Sequence, residues 1–183
     1  KRAIKFMLDQ IKSLNMDKPI EFLDVGGGLA IKYFDNDKTL SIEEFVKKVR
    51  KLVPNDINLI FEPGKSIIGN AGYLISKVLY KKRNILIIDA GMNDHIRTPL
   101  YGAKHNILPV IKQTKSKNKF IVVGPICESA DYFDKKFSYN LSEGELVVIG
   151  SSGAYGFSMS SNYNARLKPP EVIVLNRKIK LIK

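Results

Sequence analysis

The sequence predicts a chain in two parts, an α/β segment followed by a mainly antiparallel all-β segment. Helical and strand patterns alternate over the first part, which is typical of parallel strands joined by helices. From residue 73 onward, short β-branched runs are separated by loops instead of helices. Residues 69–72, Gly-Asn-Ala-Gly, interrupt the pattern, and we therefore predict two domains, residues 1–70 and residues 71–183.

The first part has two predicted helices and two predicted strands. Residues 3–14 place apolar side chains at three- and four-residue spacing, the stripe of an amphipathic helix. Ser41 and Glu44 have the spacing of a capping box, which predicts the start of the second helix. Residues 20–25 and 57–61 are apolar runs of strand length, and we expect the first to be a strand of the buried parallel kind.

Both strands end in glycine-containing loops. Gly26, Gly27 and Gly28 follow the first strand, and residues 62–66, Glu-Pro-Gly-Lys-Ser, follow the second. Glycine lets the backbone approach a ligand closely and turn its N–H groups toward an anion such as phosphate, whereas an ordinary tight turn is the alternative interpretation. Phosphate commonly binds after the last two strands of an eight-unit β/α barrel, and two adjacent glycine loops favour the phosphate interpretation.

The second part is predicted to contain five strands and a terminal hairpin. The strands are residues 73–80, 84–89, 120–123, 145–149 and 171–175. Asn176 and Arg177 separate residues 172–175 from residues 179–182, which indicates a hairpin, although arginine is not a preferred residue in such a turn.

The loops of the second part carry the residues suited to chemistry. Cys127, the only cysteine, stands beside Glu128 after a predicted strand, where a thiol and a carboxylate are suited to proton transfer. The alternative is a small buried hydrophobe beside a solvated charge. Arg97 is suited to a two-pronged grip on a carboxylate, with a surface charge as the alternative. Residues 153–164 are small, polar and aromatic without charge, which is unusual for a solvated loop.

The composition excludes some classes of protein. Hydrophobic residues make up 44% of the 183 residues, and no apolar run is long enough for a membrane span. The chain start lacks the pattern of a signal peptide, and a single cysteine fits a reducing cytosol, so we expect a cytoplasmic protein. The net charge of +12 raises nucleic acid as a partner, but the lysines are spread without a stacking platform, which favours a solvated basic surface.

Five segments, in this order and spacing, resemble the diaminopimelate decarboxylases, pyridoxal-phosphate enzymes that make lysine. The segments are LDVGGGLAI, FEPGKSIIGNAG, DAGMNDHIRTPLYGA, VVGPICESAD and GAYGFSMSSNYNARLKP. The resemblance covers nearly the whole chain from Phe22 onward. The related ornithine and arginine decarboxylases share the glycine loops but not the run FSMSSNYN.

The resemblance implies the C-terminal part of a (β/α)8 TIM barrel followed by a β-sandwich or barrel-like domain. It implies decarboxylation of meso-2,6-diaminopimelate to L-lysine and CO2 by a homodimer with shared sites. The chain would lack the N-terminal half of the barrel, with its Schiff-base lysine and ring-stacking histidine, and be inactive alone. A decarboxylase of another diamino acid, such as carboxynorspermidine or ornithine, is the alternative.

The resemblance also assigns roles to individual residues and implies no metal. The cofactor phosphate would be held by Gly26, Gly27, Gly28 and the backbone of Glu62, Pro63, Gly64 and Lys65. Arg97 and Tyr101 would bind the substrate carboxylate, Glu128 the distal amino group, and Tyr155 both cofactor and substrate. Cys127 would reprotonate the product carbon. Lys65 stands where the family has a substrate-binding arginine, and it keeps the charge without the two-pronged geometry.

Overall fold

The computed structural model describes residues 2–14 and 18–182. The chain divides into two compact units, Lys1–Ile68 and Gly69–Lys183. No helix in the described residues has the length and apolar character that crossing a membrane requires.

The first unit alternates helices and strands as the sequence predicts. Its elements are α1 (Arg2–Ser13), β1 (Phe22–Asp24), α2 (Ile42–Arg50), β2 (Asn58–Ile60) and α3 (Gly64–Ile68). The strands β1 and β2 are parallel neighbours, with Leu23 paired to Leu59. The predicted parallel unit is therefore confirmed, although both strands are shorter than predicted.

Side-chain hydrogen bonds fix both ends of α2. The predicted capping box is present, because Ser41 Oγ accepts from the N–H of Glu44 at 3.1 Å and Glu44 Oε2 accepts from the N–H of Ser41 at 3.0 Å. At the other end, the Arg50 guanidinium donates to the carbonyl oxygens of Val53 and Ile57, at 3.1 Å and 2.8 Å. These bonds hold the connection from α2 to β2.

Only one face of the β1 and β2 pair is buried. Leu23 packs in a core with residues of the two long helices, among them Ile4 and Val49. Side chains alternate along a strand, and the opposite face leaves Phe22 58% and Ile60 44% exposed. Within the described chain, helices cover one face of β1 only, so the expected burial on both faces is not observed in this unit.

The second unit is built on a six-stranded sheet. Its strands are β3 (Leu74–Lys82), β4 (Ile85–Ile88), β5 (Ile107–Pro109), β6 (Phe120–Val123), β7 (Tyr132–Phe137) and β8 (Leu146–Ile149), and a short helix, α4 (Arg97–Tyr101), lies between β4 and β5. The order across the sheet is β5-β8-β3-β4-β6-β7. The core beneath it includes Leu86, Val122, Phe137 and Val147.

The sheet is mainly antiparallel, as predicted, but one parallel pair of strands makes it a mixed sheet. Within the described chain, neighbouring strands of this sheet are antiparallel except β4 and β6, which are parallel. A parallel pair needs a long crossover, and residues 89–119 with α4 and β5 supply it. The predicted strands are confirmed, whereas β5 and β7 were not predicted.

The predicted C-terminal hairpin is present. It pairs β9 (Val172–Leu175) with β10 (Lys178–Leu181), antiparallel, and Leu175 faces Lys178. Asn176 and Arg177 have φ of 50° and 63°, the two positive values that a tight type I′ turn requires.

Candidate functional site

The two glycine-containing loops of the first unit lie side by side. The N–H of Glu62 donates to the Gly26 carbonyl at 3.0 Å, and a Cβ on Gly27 would collide with the Glu62 carbonyl oxygen. Gly26 and Gly28 have φ of 68° and 82°, a conformation that favours glycine. Within the described residues, the N–H groups of Gly27 and Gly28 donate no hydrogen bond. This backbone has the character of an anion cradle.

The second loop is a tight turn that leads directly into α3. The N–H of Gly64 donates to the Glu62 carbonyl at 2.8 Å, and Ser66 Oγ donates to the Pro63 carbonyl at 2.7 Å. A side chain on Gly64 would meet open space, so the turn is not packed against other atoms at this position. Lys65 follows it and is half-buried, which brings one positive charge close to the turn.

Arg97, Tyr101 and Tyr155 come together in the second unit, although they are far apart in the sequence. The Arg97 Cζ lies 5.9 Å from the ring centre of Tyr101 and 5.3 Å from that of Tyr155. Both distances are within the range of a cation–π contact. Tyr155 has φ of 63°, which costs a residue with a side chain about 1 to 2 kcal/mol. The three side chains form what we call the guanidinium cluster.

Cys127 and Glu128 lie on the surface of the loop that follows β6. Cys127 is exposed, so the alternative of a buried cysteine is wrong. The Tyr163 hydroxyl donates to Glu128 Oε1 at 3.5 Å, a long hydrogen bond that joins two of the five segments on which the resemblance rests. A thiol and a carboxylate are thus both accessible to a ligand at this loop.

A buried aspartate that the sequence interpretation gave no role joins this loop to the loop that leads to Arg97. Asp131 Oδ2 accepts from the N–H of Ile126 and Oδ1 from the N–H of Met92, both at 2.7 Å. Asp131 is 4% exposed, and burial raises the pKa of its carboxyl group. The residue lies inside the segment GPICESAD, but no sequence pattern shows which N–H groups it accepts from.

A second buried aspartate organises the preceding loop. Asp94 Oδ2 accepts from the N–H of Gly91 and Oδ1 from the amide of Asn93, both at 2.8 Å. Burial raises the pKa of Asp94 as well, while the positive charge of Arg166 opposes that rise. Arg166 follows the uncharged residues 153–164 and also donates to the Asp89 carbonyl at 2.6 Å. This bond holds the end of that segment beside the loop that contains Asp94.

Two buried histidines lie beside the guanidinium cluster in the sequence and also had no predicted role. The rings of His95 and His105 meet edge to face, with centroids 4.4 Å apart. His105 Nδ1 lies 2.9 Å from the Gly150 carbonyl, whereas neither ring nitrogen of His95 has a partner in the described residues. Burial, and next the neighbouring His105, lower the pKa of His95 to about 3. The His95 ring is therefore neutral at pH 7, and burial lowers the pKa of His105 as well.

A family model described as "Pyridoxal-dependent decarboxylase, C-terminal sheet domain" matches residues 7–153. The chain belongs to the pyridoxal-dependent decarboxylases. A diaminopimelate decarboxylase of Aquifex aeolicus is 43% identical over 173 residues, which are 90% of this chain and 40% of the relative. One of Helicobacter pylori is 40% identical over 174 residues, 90% of this chain and 42% of the relative. The resemblance noted in the sequence is confirmed.

Solved structures of pyridoxal-dependent decarboxylases share the fold. Diaminopimelate decarboxylase from Helicobacter pylori complexed with L-lysine superposes with a TM-score of 0.83 at 38% identity, over 98% of this chain and 45% of that one. A lysine/ornithine decarboxylase from Vibrio vulnificus reaches 0.75 at 21% identity, over 97% and 50%, which shows the fold alone. The chain spans less than half the length of the Aquifex aeolicus and Helicobacter pylori relatives.

Proposed function

We propose that this chain is part of a diaminopimelate decarboxylase, which converts meso-2,6-diaminopimelate to L-lysine and CO2. The observation that carries the proposal is the guanidinium cluster, in which Arg97, Tyr101 and Tyr155 converge from two of the five segments on which the resemblance rests. Relatives about 40% identical that bear this name support it. The proposal concerns the complete protein, of which this chain supplies the β domain and the end of a barrel.

The exposed face of the first unit supports a continuation of the sheet beyond this chain. Phe22 and Ile60 present apolar side chains to solvent on the face opposite the helices. In a (β/α)8 barrel the helices cover the outside and the opposite face of each strand points into the packed interior. We therefore assign β1 and β2 to the last part of such a barrel, with its other strands outside this chain.

The cradle of the first unit fits the phosphate of pyridoxal 5′-phosphate. Gly27 allows only hydrogen as its side chain against Glu62, and the N–H groups of Gly27 and Gly28 have no other acceptor within the described residues. We assign the phosphate to Gly26, Gly27 and Gly28 together with the backbone of residues 62–65, where Lys65 adds a positive charge. When bound, the cofactor supplies the electron sink for the charge left as CO2 departs.

The second unit supplies groups that match both ends of a diamino diacid. Arg97 binds a substrate carboxylate, and the hydroxyl groups of Tyr101 and Tyr155 add donors beside it. Glu128 carries the negative charge that recognises the distal ammonium group. Cys127 Sγ holds the proton that replaces CO2 on the product carbon, a task for which its exposed position beside Glu128 gives access. We assign Lys65, in the first unit, to substrate binding as well, where it would add a positive charge.

We also propose a cytoplasmic homodimer whose sites are shared between subunits. The exposed side chains of Cys127, Tyr101 and Tyr155 support this arrangement, since groups assigned to substrate lie on the surface of the unit that carries them. Size-exclusion chromatography of the complete protein tests the dimer, and a fully active monomer would reject it.

The test of the activity compares substrates on the complete protein. Purified with pyridoxal 5′-phosphate, it should release CO2 from meso-diaminopimelate with kcat/KM at least about 100-fold above that for ornithine or carboxynorspermidine. Those two substrates lack a second carboxylate, so the groups that bind this carboxylate would be left without a partner. A protein that binds the cofactor but prefers ornithine would replace the proposed substrate. Steeply salt-dependent binding to random DNA without cofactor binding would favour the basic nucleic-acid module instead.

A further inference from the structure

We propose that Asp131 is a positioning residue that holds the Cys127 and Glu128 turn against the loop leading to Arg97. The inference rests on the proposed function, because it concerns the alignment of a proton donor with a carboxylate-binding group. Asp131 itself is buried, so its side chain acts through the backbone groups that it binds.

The two oxygens of Asp131 bind different loops. Oδ2 accepts from the N–H of Ile126, the residue directly before Cys127, and Oδ1 accepts from the N–H of Met92, five residues before Arg97. A charged acceptor makes stronger hydrogen bonds than a neutral one, and burial removes competing water. A single rigid carboxylate therefore fixes the distance between the two backbones.

The turn closes around the same residue. The N–H of Asp131 donates to the Glu128 carbonyl at 3.1 Å, and the Asp131 carbonyl accepts from the N–H of Gly124 at 3.0 Å. A Cβ on Gly124 would collide with both carboxylate oxygens, so glycine is required for the carboxylate to lie where it does. The backbone of residues 124–131 thus has little freedom to shift without loss of these bonds.

The loop on the other side is held equally firmly. Asp94 binds Gly91 and Asn93, and the Asn93 carbonyl accepts from the N–H of Ser161 at 2.8 Å. The guanidinium of Arg166 offsets the two buried negative charges. Asp131 is therefore the link between a loop already fixed to the segment 157–166 and the loop that presents the thiol.

The isosteric variant Asp131→Asn breaks one arm of this link. Its amide keeps one acceptor oxygen, while its NH2 group faces a backbone N–H donor and cannot accept. We expect kcat on meso-diaminopimelate to fall about 10- to 100-fold, since a displacement of about 1 Å at a reacting group has this effect. KM should change less than kcat, because Arg97 and its two tyrosines are untouched and, of the groups assigned to substrate binding, only Glu128 lies on the released turn.

The experiment uses the complete holoenzyme and two readouts. Steady-state kinetics give the split between kcat and KM, and mass spectrometry follows the rate at which iodoacetamide alkylates Cys127. Asp131→Asn should alter that rate several-fold, because the exposed thiol is released from a fixed turn. The matched control is Asp134→Asn, the same chemical change at a residue of β7 whose carboxylate accepts from the nearby N–H of Lys136, at 2.8 Å, and from no other group in the described residues. It should alter neither readout.

Gly124→Ala provides an independent variant, since its methyl group displaces the Asp131 carboxylate without removing it. It should reproduce the kinetic and alkylation effects, and it carries the test if Asp131→Asn does not fold. Unchanged kcat and unchanged alkylation in either folded variant would overturn the proposal. Alkylation does not depend on the substrate, so an altered rate in a protein that fails to decarboxylate diaminopimelate would reject the proposed function but keep the role of Asp131 in the turn.

Discussion

Arg97 shows how one side chain gains a defined position from aromatic neighbours. Its Cζ lies 5.9 Å from the ring centre of Tyr101 and 5.3 Å from that of Tyr155, so two aromatic rings attract the same positive charge. Lysine preserves the charge but has no planar fork and no two-pronged grip on a carboxylate. Arg97→Lys therefore keeps the positive charge but removes the two-pronged contact with a carboxylate.

We expect Arg97→Lys in the complete protein to raise KM for meso-diaminopimelate about 10-fold or more, the scale of one strong hydrogen bond to a charged group. Steady-state decarboxylation kinetics measure it. Arg83→Lys is the matched control, because Arg83 lies in the exposed turn between β3 and β4 and should leave KM unchanged. An unaltered KM in Arg97→Lys would remove this residue from substrate binding.

The C-terminal hairpin illustrates a conflict between residue type and backbone geometry. Arg177 adopts φ of 63° in a two-residue turn where glycine is favoured at this position. Arg177→Gly should therefore stabilise the hairpin by about 0.5 to 1 kcal/mol, the relief of left-handed strain less the added freedom of the unfolded chain. Slower hydrogen exchange of the amides of β9 and β10 would show it. Lys178→Gly, at the first residue of β10, should speed exchange instead, and equal effects of the two changes would contradict the argument.

The sequence predicted those elements whose signal is local. Ser41 and Glu44 form the expected capping box, and Phe120–Val123 is a strand with the predicted bounds. The strand Ile107–Pro109 was missed because it is short and contains proline, which patterns place outside a strand. The parallel pairing of β4 with β6 was missed because it depends on contacts far apart in the chain.

The same division between local and distant information holds for the candidate site. Cys127, Glu128 and Arg97 are visible as unusual residues in loops, and motif resemblance brings Tyr155 into the same set. The convergence of Arg97 with Tyr155 depends on packing between segments more than fifty residues apart. The role of Asp131 depends on which backbone N–H groups a buried carboxylate meets, and only the folded chain reveals this.

At the scale of the whole molecule, buried titratable groups act in opposite senses on stability. His95 has a folded pKa of about 3 against an ordinary value of 6.5, so the unfolded chain binds a proton that the folded one refuses over that interval. His105 has a lowered pKa too, chiefly through burial. The raised pKa values of Asp94 and Asp131 favour proton binding by the folded state and so oppose this effect toward the acid end.

The stability of the complete protein should therefore fall as the pH drops below 6.5, the ordinary pKa of histidine. One histidine contributes at most about 1.4 kcal/mol per pH unit. His95→Leu should flatten this dependence, because leucine cannot take up a proton on unfolding, whereas the ring of His95 is buried without a partner in the described chain and takes up a proton when the chain unfolds. Thermal midpoints between neutral pH and about pH 5 measure it. Phe133→Leu, a buried change without a titratable group, should lower the midpoint but keep the wild-type slope. A wild-type slope in His95→Leu would show that the protons are taken up elsewhere.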